Sequence, residues 1–155
     1  MAQVGKDLAT RFTGWHPDLI LTAEASGIPP ALACSIEMGV PMVYAKKYVG
    51  TGRRYTFARE VVSPTKGTEY RVEVARRVLE PGKNIVIVDD FLSGGRTAEA
   101  LGQITEESGC AVLGFGFIIE KTWTEGRARL EAHGWRVTSL VTVEALEAGS
   151  LVMKE

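Results

Sequence analysis

Two cysteines and two histidines in 155 residues are too few for a disulfide framework or a His/Cys metal centre. Cys34 and Cys110 stand in apolar, helix-like surroundings with no CxxC spacing. Two buried, reduced thiols are therefore expected, which fits a cytoplasmic protein. His16 and His133 each abut a turn residue and lie far apart, which argues against a metal site built on them. Charge of one sign is also missing. Lys and Arg number 18 against 19 Asp and Glu, a net charge of −1. That balance excludes a general attraction to nucleic acid or a membrane surface, so any anion site must be local. No long hydrophobic run is present: the longest, Val112 to Ile119, is interrupted by glycine and far too short to cross a bilayer. Met1 to Lys6 lacks the basic start and apolar core of a secretory signal.

What is present is concentrated between Asn84 and Thr97. Asn84-Ile85-Val86-Ile87-Val88 reads as a strand buried on both faces. Asp89-Asp90 then stands at its C-terminal end, where open α/β sheets bind their ligands. Phe91-Leu92-Ser93-Gly94-Gly95-Arg96-Thr97 follows as a small, glycine- and hydroxyl-rich turn, with a helix expected from about Ala98. Backbone N–H groups at such a turn, with the helix dipole behind them, make a socket for a phosphate. An acid pair and a phosphate socket a few residues apart suit one ligand, a sugar phosphate with free hydroxyls.

The remaining chain alternates strand and helix. Helical spacing of Val4, Leu8, Ala9 and Phe12 marks an amphipathic helix over 2–12. Leu19 to Ala23 is a short buried strand, Ala31 to Met38 a helix stopped by Gly39, and Met42 to Ala45 a second strand. The helix after the acid motif runs to Glu107, with Gly109 closing it. Val112 to Glu120 is a strand, Arg127 to Ala132 a short helix, and Arg136 to Thr142 a last strand. Such an order predicts one α/β domain over 1–155, a doubly wound, mostly parallel sheet flanked by helices. Gly114-Phe115-Gly116 lacks the third glycine and following helix of a dinucleotide loop. Between the second strand and the acid motif the pattern changes. Tyr55 to Val62 and Tyr70 to Val74 alternate as an antiparallel hairpin, joined by Ser63-Pro64-Thr65-Lys66-Gly67-Thr68-Glu69. Lys46, Lys47, Arg53, Arg54 and Arg59 form a basic cluster at its base. Either these charges guard an exposed edge ribbon, or the hairpin is a lid that closes over a pyrophosphate.

The strand–Asp-Asp–turn–helix order resembles the ribose-phosphate signature of the type I phosphoribosyltransferases, which use 5-phosphoribosyl-1-pyrophosphate (PRPP). The resemblance spans essentially the whole chain and lies in the purine branch, nearest its xanthine-using members. It is carried by Glu24-Ala25-Ser26-Gly27-Ile28-Pro29-Pro30, Gly39 to Lys47, Ser63 to Glu69, Asp89-Asp90-Phe91-Leu92 and Gly114 to Lys121. It implies transfer of phosphoribose from PRPP to a free purine, xanthine first, then guanine or hypoxanthine, then adenine. Ala25, Ser26 and Gly27 would be the pyrophosphate loop, where a non-proline peptide is often cis. Lys46 or Lys47 would meet the pyrophosphate, and Lys66 would act from the lid. Asp89 and Asp90 would hold the ribose hydroxyls directly or through Mg²⁺, the implied cofactor, which they would bind themselves or through water. Ser93, Gly94, Gly95, Arg96 and Thr97 would wrap the 5′-phosphate. Lys121 would contact a purine oxygen, with Trp123 stacked beside the base. The family also implies a homodimer, and the charge balance gives no reason to expect nucleic-acid or membrane partners.

Two departures from the family pattern stand out. Gly94-Gly95-Arg96-Thr97 replaces the usual Thr-Gly-Gly-Thr run; Ser93 can supply the lost hydroxyl, and Arg96 requires a backbone without strongly positive φ. Its guanidinium either meets the phosphate or points to solvent. The second is an N-terminal hood over the base, expected here to be reduced or absent. A PRPP-binding regulator without catalysis is the alternative that a missing hood would favour.

Overall fold

The computed structural model describes residues 1–49, 55–62, 67–147 and 150–154, with backbone only for 145–147, 150, 151 and 154. Among the described residues four α-helices, α1 (Ala2–Arg11), α2 (Ile28–Met38), α3 (Arg96–Glu107) and α4 (Gly126–Glu131), accompany eight strands. These strands are β1 (Leu19–Ala23), β2 (Met42–Tyr48), β3 (Thr56–Val62), β4 (Glu69–Ala75), β5 (Asn84–Leu92), β6 (Ala111–Lys121), β7 (Val137–Glu147) and β8 (Ser150–Lys154). They form one sheet in the order β3-β4-β2-β1-β5-β6-β7-β8. From β2 through β7 the β2-β1-β5-β6-β7 pairs are parallel. The two ends are antiparallel, β2–β4 and β3–β4 on one side and β7–β8 on the other.

The apolar strands are buried on both faces because each face has its own helices. Ile20, Val86 and Val88 pack with Leu8, Phe12, Ala31 and Cys34 beneath α1 and α2. Their neighbours Leu19, Leu21, Ile85 and Ile87 turn the other way, onto Leu101 and Ile104 of α3. Period-2 alternation thus feeds two cores, and each fully buried aliphatic side chain contributes about 1.5–3 kcal/mol. Gly114 and Gly116 in β6 lie where Trp15 and Phe12 press on the strand, so neither belongs to a dinucleotide loop. α2 runs from β1 to β2 and α3 from β5 to β6, on opposite faces. The gap between the C-terminal ends of β1 and β5 is therefore the topological switch point.

Several boundaries differ from the sequence expectation: α2 begins at Ile28 rather than Ala31, and β2 continues to Tyr48 rather than Ala45. β5 continues through the acid pair to Leu92, because β6 extends beside it and pairs Asp89 with Phe117 and Leu92 with Glu120. α3 begins at Arg96 rather than Ala98. Arg136 to Thr142 is not the last strand: β7 continues to Glu147 and β8 returns antiparallel to it. Glutamates interrupt the apolar alternation there, so the pairing partner decides the conformation. Cys110 lies in the turn between α3 and β6, not in a helix; both cysteines are nonetheless buried and free.

The hairpin β3–β4 is a wall of the domain. Phe57, Val61, Val72 and Val74 belong to the main core, and Arg59 pairs with Glu107 at the end of α3. The connection at 63–66, including Lys66, lies outside the described residues. So do Arg53 and Arg54 of the expected basic cluster. No helix among the described residues is long and apolar enough to cross a membrane.

Candidate functional site

A cavity of about 290 Å³ opens at the switch point, lined by both carboxylates of the acid pair and by all of Ser93 to Thr97. The backbone N–H of Asp90 donates to Asp89 Oδ1 at 2.8 Å, and Ser26 Oγ donates to Asp90 Oδ1 at 3.1 Å. Burial, then the hydrogen-bonded and like-charged Asp90, push the Asp89 carboxyl up to about 7. The Asp90 N–H and the Lys47 ammonium oppose that shift without overcoming it. Two carboxylates crowded this way favour whatever brings a proton, a cation or a hydroxyl donor between them.

Gly27 shows why this turn is built without a side chain. Its φ is ordinary at −75°, but a Cβ there would strike Thr22 Oγ1, stand 2.5 Å from Asp89 Oδ1 and 3.1 Å from the Ala23 carbonyl. Space, not backbone freedom, requires glycine. The preceding Glu24–Ala25 peptide is cis, as the family resemblance implies. Ala25 and Gly27 flank Ser26, which itself lines the cavity.

The glycine turn at 93–97 divides its tasks. Gly95 carries the left-handed φ of +72°, while Arg96 is not among the positive-φ residues and opens α3. The condition for a non-glycine residue at position 96 is thereby met. Arg96 is exposed and lines the cavity. Thr97, in the first turn of α3, meets the Tyr70 hydroxyl at 2.5 Å.

Strand alternation separates the two lysines of β2. Lys47 lines this cavity, its ammonium 5.6 Å from the Tyr70 ring, and its backbone N–H donates to Glu24 Oε1 at 2.7 Å. Lys46 faces the opposite side of the sheet. There it lines a separate cavity of about 390 Å³ with Glu73 and Arg77.

Beyond the acid pair lies an aromatic patch. Lys121 ends β6 with its ammonium 4.9 Å from the Phe91 ring and 5.9 Å from the Trp123 ring. Both rings are open to solvent, at 39% and 47% exposure. Next to Lys121, Glu120 is 2% exposed. Its carboxylate receives a two-pronged Arg127 guanidinium at 2.7 and 2.6 Å, and Ser139 Oγ at 2.6 Å. Burial opposes ionisation of Glu120, but the hydrogen bonds from Arg127 and Ser139 prevail and hold its carboxyl below the usual range.

Sequence reasoning did not single out Tyr70, Phe91, Thr124, Glu120, Arg127 or Arg129. Phe91 stood inside the quoted motif, and its odd position after two acids was an available signal. Tyr70 and Thr97 meet across 27 residues, and Arg129 reaches Gly94 across 35. No local pattern encodes such pairings.

Among the described residues no group of three or more His, Cys, Asp or Glu side chains is arranged to hold a metal ion. The acid pair is a two-carboxylate donor set, which suits a hard cation that takes its remaining oxygens from water or a ligand.

Fold and site together define a doubly wound α/β domain with an anion-binding loop and an acid pair at its switch point. The chain belongs to the phosphoribosyl transferase domain family, whose model matches residues 5–148. It is 40% identical over 152 residues to a xanthine phosphoribosyltransferase of Ectopseudomonas mendocina, covering 97% of this chain and 80% of that protein. Identity is 41% over 143 residues with the xanthine phosphoribosyltransferase of Chloroflexus aurantiacus, covering 92% and 68% respectively. Among solved structures, an adenine phosphoribosyltransferase from Thermoanaerobacter pseudethanolicus superposes with a TM-score of 0.80 at 28% identity. That match covers 90% of this chain and 78% of the other.

Proposed function

We propose that this phosphoribosyltransferase moves the phosphoribosyl group of PRPP to a free purine, with xanthine the first choice, giving a nucleoside monophosphate and pyrophosphate. One observation carries the reading: Asp89, Asp90, Lys47 and the 93–97 loop line a single cavity. The names of the relatives supply the preference for xanthine.

Breaking the bond from the anomeric carbon to pyrophosphate builds positive charge on the ribose and negative charge on the leaving group. Carboxylates beside the sugar and a cation beside the pyrophosphate, placed before reaction, stabilise that separation with little reorganisation. In this reading Ser93 to Thr97 take the 5′-phosphate and Asp89 and Asp90 take the ribose hydroxyls. Ala25, Ser26, Gly27 and Lys47 face the pyrophosphate, joined from the hairpin connection by Lys66. Lys121 contacts a purine oxygen, and Trp123 and Phe91 offer ring faces to the base. The protein's main contribution is then orientation of a purine nitrogen against the sugar carbon. Mg²⁺ would sit against Asp89 and Asp90, and when bound it neutralises pyrophosphate charge. The donor set fits it, since a crowded and buried carboxylate pair gains from a cation. The same reading carries a homodimer, which sedimentation velocity tests, and a cytoplasmic protein, which the two buried free thiols support.

A base panel tests the function: protein, Mg²⁺ and PRPP with xanthine, guanine, hypoxanthine or adenine, and nucleotide followed by chromatography. Turnover is expected with xanthine foremost, and abolished in the double variant Asp89→Asn, Asp90→Asn. Saturable PRPP binding without turnover on any base would identify a PRPP-binding regulator instead.

A further inference from the structure

Two consecutive carbonyls of the 93–97 loop are held from outside the cavity. Thr124 Oγ1 lies 2.8 Å from the Ser93 carbonyl, and Arg129 Nε donates to the Gly94 carbonyl at 2.8 Å. Neither Thr124 nor Arg129 lines the cavity; both come from the β6–α4 side. The peptides following Ser93 and Gly94 are trans, since Glu24–Ala25 is the cis bond found among the described residues. In a trans peptide the N–H points opposite to the C=O. Tying down the Ser93 and Gly94 oxygens from behind therefore turns the Gly94 and Gly95 N–H groups forward, away from α4.

The clamp is itself braced. Arg129 extends its other nitrogens to Glu99 at 3.2 Å and Glu125 at 3.4 Å. Glu99 also meets His133 Nε2 at 2.8 Å, and the imidazole stacks on Trp135 with centroids 4.2 Å apart. Backbone contact completes the seat. A Cβ on Gly95 would come within 2.9 Å of the Gly126 Cα, and one on Gly126 would strike the Ser93 carbonyl. The pair of glycines lets α4 reach the loop closely enough for Arg129 to bond it. Thr124 adds a second connection: its hydroxyl also lies 2.8 Å from the Lys121 carbonyl, so its single proton is shared between the two acceptors. One side chain thus joins the loop behind the cavity to the strand end that carries Lys121.

We propose that Arg129 and Thr124 are positioning residues for the 5′-phosphate, aiming the loop N–H groups by holding its carbonyls, and that Thr124 couples this loop to the base side. The inference rests on the phosphoribosyl-transfer reading above. Neither residue touches substrate. Each acts through the peptide it holds, so the effect appears in phosphate-ester affinity before it appears in the chemical step.

The test uses Arg129→Met, which keeps the stem and removes the donors, Arg129→Lys, and Thr124→Val, which keeps the shape and removes the hydroxyl. For each variant, ribose 5-phosphate affinity is measured by calorimetry, steady-state kinetics by the base assay, and Tm by scanning calorimetry. Arg129→Met is expected to weaken ribose 5-phosphate binding and raise KM for PRPP about tenfold, the loss of a charge-assisted hydrogen bond. Its kcat and its KM for the base should change less, and Arg129→Lys should restore part of the affinity. Thr124→Val is expected to raise both KM values, by about threefold each. If Arg129→Met does not fold, Thr124→Val decides, since a single hydroxyl at a half-buried site is a mild loss. Variants with wild-type Tm and wild-type ribose 5-phosphate affinity would overturn the positioning role while leaving the enzyme reading intact. A wild-type protein that binds neither ribose 5-phosphate nor PRPP would overturn the enzyme reading first and this inference with it.

Discussion

Tyr70 and Thr97 bring their hydroxyls to 2.5 Å of one another, joining the hairpin to the first turn of α3. Both residues line the cavity, with Lys47 over the same tyrosine ring. Removing only the oxygen in Tyr70→Phe keeps the ring and leaves Thr97 without this partner. A net hydrogen bond of about 1 kcal/mol corresponds to roughly fivefold in affinity. KM for PRPP is expected to rise by that order with kcat nearly unchanged, as steady-state kinetics would show. An unchanged KM would mean that the contact does not order the phosphate loop.

Asp89 gives the site a pH dependence whose sign is fixed. Its carboxyl stands at about 7 in the fold against an ordinary 3.8. Between those values the folded chain holds a proton that the unfolded chain has released, so stability from this group falls as pH rises through that window. Asp89→Asn removes the effect and should gain Tm relative to wild type on going from pH 5 to pH 8. Ligand binding runs the other way. An ionised acid pair is needed for ribose hydroxyls or Mg²⁺, so PRPP affinity should weaken as pH falls below about 7. Proton release on binding, measured in two buffers of different ionisation enthalpy, checks it.

The two lysines of β2 should behave differently although they are adjacent. Lys47→Ala removes the cavity's ammonium and is expected to raise KM for PRPP about tenfold. Lys46→Ala, on the opposite face beside Glu73, should leave KM within about twofold, the range of an exposed charge change. Equal effects would place the pyrophosphate elsewhere.

Arg127 is expected to matter for stability. Arg127→Met strands the buried Glu120 carboxylate, which costs about 3 kcal/mol, the lower part of the range because Arg127 reaches solvent. For a domain of this length that corresponds to a fall in Tm of roughly 6–12 °C. Glu120→Gln with Arg127→Met should recover much of the loss; no recovery would assign the effect to packing of the arginine stem.

Much of this protein was legible along the chain because its signals are local. Ile85 to Val88 alternate between two cores, Gly39 ends α2 in the left-handed region at φ +65°, and Asp89-Asp90 with Ser93 to Thr97 form a contiguous block. Period and turn chemistry act over a few residues, so the β1, α2 and β5 elements and the acid motif followed directly. The extent of pairing did not. β5 runs past its apolar residues because β6 continues beside it, and β8 exists because β7 offers an edge.

The sequence by itself determined the doubly wound order and the residue types available at the switch point. Only the tertiary structure decided which of Lys46 and Lys47 enters the cavity, that Gly27 is required by the approach of Asp89, and that Arg129 grips the loop from behind. Those are questions of distance between segments remote in sequence. A chain pattern specifies which side chains exist and which face they take; the separation and direction of two faces are set when every element packs at once.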